Sequence, residues 1–190
     1  MIEIETPHGP ARAQLELVDG ASSVLVLGHG AGGGIGAPDL KAATEAAHEA
    51  GVSVVLVEQP YRVAGRKSPA PAAQLDAAWV AVCAALPIEG LELIVGGRSS
   101  GARVACRTAA VTGAAKVLCL AFPLHPPGRP EKTRLPELEA VGVPVLIVQG
   151  ESDPFGMPPE APGRTVVRLR GNHSLRSDIP GLRAAVRDFL

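Results

Sequence analysis

The stretch Gly97-Arg98-Ser99-Ser100-Gly101 follows, after Gly96, on the apolar run Leu91 to Val95 and leads into a segment, Ser100 to Thr112, with helical composition. Small residues on either side of a serine at a strand-to-helix turn let the chain bend sharply enough to lift the hydroxyl clear of a sheet. The helix that follows aims its free NH groups at any oxyanion formed there. The pattern fits GxSxG and makes Ser99 a candidate nucleophile. A serine hydroxyl is weak alone, so this chemistry demands a base within hydrogen-bonding reach and a third group that fixes the tautomer of the base. Asp153, in the stretch VQGESDPFG, and His173, in LRGNHSL, follow Ser99 in the chain order serine, acid, histidine, each just past a predicted strand.

Acyl transfer through Ser99 also needs two backbone donors for the oxyanion. The NH of Ser100, the residue after the nucleophile, supplies one. The glycine-rich loop Gly28 to Gly36 must supply the other, and Ala31 is the expected donor with Gly32 as the alternative, where glycines allow the backbone to approach a substrate closely. Arg98 faces either the substrate mouth or solvent. Ser100 is a rival nucleophile, but Arg98 and Ala102 would flank its turn, and an arginine there crowds the bend.

Each residue also has a plain structural reading. Ser99 can be a helix cap, Asp153 before proline can start a turn, and His173 can be a solvated loop histidine. Three required types in the required order at one predicted sheet edge, with a glycine-rich loop where a donor is needed, favour the catalytic reading. Two other functions compete. Gly28, Gly30 and Gly33 satisfy GxGxxG with Glu58 ending the next strand, as in a dinucleotide-binding unit, but Glu58 lies too far on and the helix starts only near Pro38 or Asp39. An interaction module with a vestigial site is the other.

Several elements must hold these residues. Ile2 to Ile4 and Ala13 to Val18 alternate apolar with polar around a Pro/Gly turn and read as an antiparallel edge hairpin. Buried-type runs follow at Ser23–Gly28, Val52–Val57, Leu91–Gly96, Lys116–Phe122, Val143–Gly150 and Thr165–Arg170. Helical segments lie between or after them at Asp39–Ala50, Ala72–Leu86, Ser100–Thr112 and Pro180–Leu190. That alternation predicts an α/β fold, a mostly parallel twisted sheet with helices on both faces, in a single domain over residues 1–190. Ligands in such sheets bind beyond the carboxyl ends of the strands. Glu58, Tyr61, Arg62, Arg66 and Lys67 cluster after one of these strands and are expected to pair with one another and pin that loop.

A net charge of −1 on 190 residues gives no field that would draw nucleic acid or an anionic membrane. No apolar run is long enough to span a bilayer and the first residues lack a secretory pattern, so a cytoplasmic location is expected. Cys83, Cys106 and Cys119 lack metal or redox spacing and read as buried thiols. No metal or organic cofactor is called for, the expected partner is a small-molecule acyl substrate, and oligomeric state is not readable.

The assembled segments GHGAGG, VEQPYR with GRKSP, GGRSSGAR, FPLHPPGRPEK, VQGESDPFG and GNHS resemble the α/β-hydrolase superfamily. Within it the likeness is to dienelactone-hydrolase-like predicted hydrolases, a group that includes a testis-expressed protein and the hydrolase-like domain of a chromatin-complex subunit. The resemblance covers nearly the whole chain. It implies Ser99, Asp153 and His173 as the catalytic set and places Leu124 and His125 near the site mouth, with a structural loop role as the other reading of His125. Dienelactone hydrolases proper use cysteine where this chain has Ser99. The short link between LCLAF and VPVLIV leaves no room for a lid domain, so an open site taking small esters or thioesters is expected.

Overall fold

The computed structural model describes residues 1–190. Eight strands form one sheet: β1 (Ile2–Ile4), β2 (Ala11–Glu16), β3 (Ser23–Gly28), β4 (Ser53–Glu58), β5 (Glu92–Arg98), β6 (Lys116–Leu120), β7 (Val145–Gly150) and β8 (Arg164–Leu169). Six helices accompany them: α1 (Pro38–Glu49), α2 (Pro60–Val63), α3 (Ala72–Ala85), α4 (Ser100–Thr112), α5 (Leu135–Glu139) and α6 (Ile179–Phe189). The strand order is β1-β2-β4-β3-β5-β6-β7-β8. β1 and β2 form the antiparallel hairpin, β2 runs antiparallel to β4, and every pairing from β4 through β8 is parallel.

The central strands are apolar without alternation because helices cover both sheet faces. Val24 through Leu27 have no solvent exposure. Val24, Val26, Val55 and Val95 pack with Trp79, Val82, Ala105 and Phe122 under α3 and α4. Leu25, Leu27, Ile94 and Leu118 pack on the opposite face with Leu40, Ala43, Leu182 and Val186 of α1 and α6. Ala-rich helix faces let these layers approach closely. Arg107 forms two bonds to Asp76 and Arg103 two to Glu137, which ties α4 to α3 on one side and α5 on the other.

The sequence expectations hold for the order and type of the long elements, with ends shifted by a residue or two. Two short helices, α2 and α5, lie outside the segments expected to be helical; each has proline in its first turn and is too short to show an apolar period. The cluster after β4 pairs in part as expected: Arg66 N donates to Tyr61 O at 2.8 Å and Arg62 Nη1 to Arg66 O at 3.4 Å. Glu58 makes no ion pair there, and Tyr61 Oη adds a tie to the preceding loop by donating to the carbonyl of Ala31 at 2.9 Å. The three cysteines are free and buried. No helix is long and apolar enough to cross a membrane.

Candidate active site at the carboxyl edge of the sheet

β5 ends at Arg98 and α4 begins at Ser100, so the whole reversal falls on Ser99, which adopts φ 53°, ψ −109°. A non-glycine residue with positive φ is strained, and such strain persists only where the surroundings impose it. Here they do. Ser99 N donates to Leu120 O at 2.9 Å, and Gly97 and Gly101 bring the elbow against β3 so tightly that a methyl on either would overlap the carbonyl of Gly28. The serine side chain is thereby presented at the end of the sheet while its backbone stays in the core. Ala121 after β6 and Leu175 beyond His173 are the other non-glycine residues with positive φ, so backbone strain is confined to this edge.

His173 arrives on the turn after β8. Its Nε2 lies 2.9 Å from Ser99 Oγ, and its Nδ1 lies 2.7 Å from Asp153 Oδ2. A carboxylate can only accept, so Nδ1 carries the proton and Nε2 is left to accept from the serine hydroxyl. The Asp153 side chain is 1% exposed and that of His173 17% exposed, so the acid is shielded while the imidazole reaches the surface. Asp153 Oδ1 accepts from Phe155 N at 2.9 Å, and the Phe155 ring lies against the imidazole with centroids 4.3 Å apart. Gly150 permits the two loops to close on each other, since a Cβ there would fall 2.5 Å from Asn172 O.

The loop after β3 is held from both sides. Gly30 O accepts from His29 Nδ1 at 2.8 Å and from Gly33 N at 3.2 Å, while Tyr61 holds Ala31 O. A trans peptide points its NH opposite to its carbonyl. Fixing the Gly30 and Ala31 carbonyls therefore fixes the directions of the Ala31 and Gly32 NH groups. A Cβ on Gly30 would lie 3.6 Å from Ser99 Cβ, so this loop passes directly beside the elbow. His29 is buried, its Nε2 accepts from Gln59 N at 3.1 Å, and burial pushes its pKa below the ordinary 6.5. The Ser100 NH belongs to the first turn of α4, where no intrahelical carbonyl is available.

The remaining candidates are held by contacts within the protein. Arg98, expected at the substrate mouth or in solvent, is engaged by the protein itself: its Nε lies 2.7 Å from Asp39 Oδ2 and its Nη2 donates to His173 O at 3.3 Å. Its guanidinium is drawn inward because Asp39 is fully buried and has no other counter-charge. Leu124 packs against the core under α3 and α4. The backbone NH of His125 donates to Phe155 O at 3.0 Å, its Nδ1 lies 2.9 Å from Pro126 O, and its ring lies over Gly156, so it supports the acid loop. The dinucleotide alternative loses its anion site, because α1 starts at Pro38, well past Gly33, with the Asp39 carboxylate already in its first turn.

Gln149 was not singled out from the sequence. It is the penultimate residue of β7 and is fully buried, and its Nε2 is 2.8 Å from Asp153 Oδ2. A glutamine inside the otherwise apolar strand VPVLIVQG is the signal that could have drawn attention to it.

Residues 21–176 match the family described as an alpha/beta hydrolase domain. The chain belongs to the α/β-hydrolase family. The solved α/β-hydrolase-fold structures similar to it include an α/β serine hydrolase without lid from Xanthomonas campestris, with a TM-score of 0.79 at 21% identity over 98% of this chain and 91% of that one. Est1E from Butyrivibrio proteoclasticus gives 0.79 at 17% identity over 99% and 96% of the two chains. Dienelactone hydrolase from Anabaena variabilis gives 0.74 at 18% identity over 99% and 92%. No curated protein sequence matches this α/β hydrolase significantly.

Proposed function

We propose that this α/β hydrolase is a serine hydrolase that cleaves small carboxylic esters or thioesters through an acyl-enzyme on Ser99. The observation that carries the proposal is the unbroken chain from Ser99 Oγ to His173 Nε2, 2.9 Å, and from His173 Nδ1 to Asp153 Oδ2, 2.7 Å. His173 takes the hydroxyl proton as Ser99 Oγ adds to the acyl carbon, and the carbonyl π pair moves to oxygen. The NH groups of Ser100 and Ala31, with Gly32 as the alternative to Ala31, receive that oxyanion. Collapse expels the alcohol or thiol, which leaves with the proton held on His173. Water then repeats the sequence on the acyl-serine, and the acid product and free Ser99 are regenerated. Asp153 stays ionised throughout and supports the imidazolium.

The substrate class rests on the chain's own build and its neighbours. Residues 121–144, between β6 and β7, contain only the short helix α5, so nothing of lid size lies in that connection. One structural neighbour is described as without lid, another is dienelactone hydrolase, and a third is the thioesterase domain from the curacin biosynthetic pathway. The net charge of −1 favours a small acyl substrate over nucleic acid or a membrane surface, and three unpaired cysteines suit a reducing compartment such as the cytoplasm.

The test is labelling with a fluorophosphonate probe. Wild type and Ser100→Ala are expected to label and Ser99→Ala to stay unlabelled. No labelling of wild type, with no turnover of nitrophenyl esters from acetate upward, overturns the proposal.

A further inference from the structure

Gln149 Nε2 is surrounded by acceptors: Asp153 Oδ2 at 2.8 Å, Gly156 O at 2.9 Å and Phe122 O at 3.1 Å. The amide orientation follows from this, since turning it over would set Oε1 against three oxygens. In the observed orientation Oε1 has no partner although it is buried. An unsatisfied buried carbonyl is unfavourable, and an apolar side chain would fill the end of β7 without that penalty. The arrangement is therefore explained by the two N–H groups and what they hold.

They hold the acid. The three acceptors belong to three pieces of chain: the segment just past β6, the side chain of Asp153, and the far side of the turn that carries it. Asp153 Oδ2 is the same oxygen that accepts His173 Nδ1–H, so one oxygen receives the imidazole from one side and the amide from the other. We propose that Gln149 is a positioning residue that fixes the rotamer of Asp153 and hence the orientation of His173 toward Ser99. The proposal rests on the triad reading above. Asp153 and His173 are the titratable groups in the bonded cluster, and His125 packs on its outer side over Gly156.

Two variants and two readouts test it. Gln149→Leu removes both donors while keeping similar bulk, and is expected to lower the pseudo-first-order rate of fluorophosphonate labelling by about 10- to 100-fold, the cost of a misplaced catalytic group. Gln149→Glu is nearly isosteric and gives the more specific signature. Its carboxyl can stand among three acceptors only when protonated, so the labelling rate is expected to fall as pH rises and the introduced carboxyl ionises against Asp153. Wild type, which lacks that carboxyl, is expected not to share that fall. The downfield proton on His173 Nδ1, observed by NMR, is expected to shift or broaden in both variants while the far-ultraviolet circular dichroism stays native.

A Gln149→Glu pH profile superimposable on wild type, with an unmoved Nδ1 proton, overturns the assignment. Should Gln149→Leu fail to fold, Gln149→Glu still decides. If wild type itself does not label, the functional proposal fails separately, and the Nδ1 proton alone decides whether Gln149 positions the Asp153–His173 pair.

Discussion

Arg98 Nε lies 2.7 Å from Asp39 Oδ2, which joins the residue before the nucleophile turn to the first turn of α1 through a side chain that is only 1% exposed. The contact is a close ion pair rather than an aligned hydrogen bond, since Oδ2 has no partner of good hydrogen-bond geometry while Oδ1 accepts from Leu40 N. Burial raises the Asp39 pKa above the ordinary 3.8, against the opposing pull of Arg98. Arg98 Nη2 meanwhile reaches His173 O. One guanidinium thus braces the loop of the histidine with a charge whose only counter-charge is buried.

Removing that guanidinium leaves an uncompensated buried carboxylate. Arg98→Met is expected to cost about 3 kcal/mol in urea unfolding at neutral pH, in the range for breaking one side of a buried pair. A group with a raised folded pKa contributes most below its unfolded value and loses that contribution as pH rises through the folded one. The deficit of Arg98→Met is therefore expected to shrink toward about pH 4. Adding Asp39→Asn should recover most of the stability.

The left-handed backbone at Ser99 predicts a trade between stability and reactivity. Ser99→Gly and Ser99→Ala both lose the hydroxyl, but only glycine adopts φ 53° without strain. The glycine variant is expected to be more stable than the alanine variant by about 1 kcal/mol, read as a higher melting temperature, with neither labelled by a fluorophosphonate.

His29 sets an acid limit. Its folded pKa is lowered by burial, so the folded state resists a proton that the unfolded chain accepts below 6.5. Its stability contribution is complete above 6.5 and declines as pH falls from there toward the lowered folded value. Denaturation midpoints between about pH 7 and pH 5 should show that slope in wild type and a flatter one in His29→Gln.

Tyr61→Phe removes the hydroxyl that holds Ala31 O and nothing else of size. A loss of about 1 kcal/mol is expected, with faster amide exchange at Gly33 as the glycine loop loosens.

What could be read in the sequence was what periodicity and chain order encode. The Val- and Leu-rich runs announced parallel strands because helices on both faces remove any need for alternation. Ser99, Asp153 and His173 declared themselves by following strands in a fixed order. Arg98 did not, because its direction depends on Asp39, an acid placed beside it only when α1 packs near the end of β5. Gln149 stayed hidden for a similar reason, since a polar residue in a strand gains meaning only from the acceptors that the neighbouring strand and turn bring around it. The helices α2 and α5 were too short to carry a period.

Ser99 and His173 stand 74 positions apart, and the exposed stretch Pro127–Thr133 lies between them, outside every strand and helix. A chain severed there yields one fragment with the hydroxyl and another with the imidazole and carboxylate. Neither half can complete the trio alone, so on the proposed mechanism only reassociation of the two pieces would restore turnover, the behaviour of a split reporter.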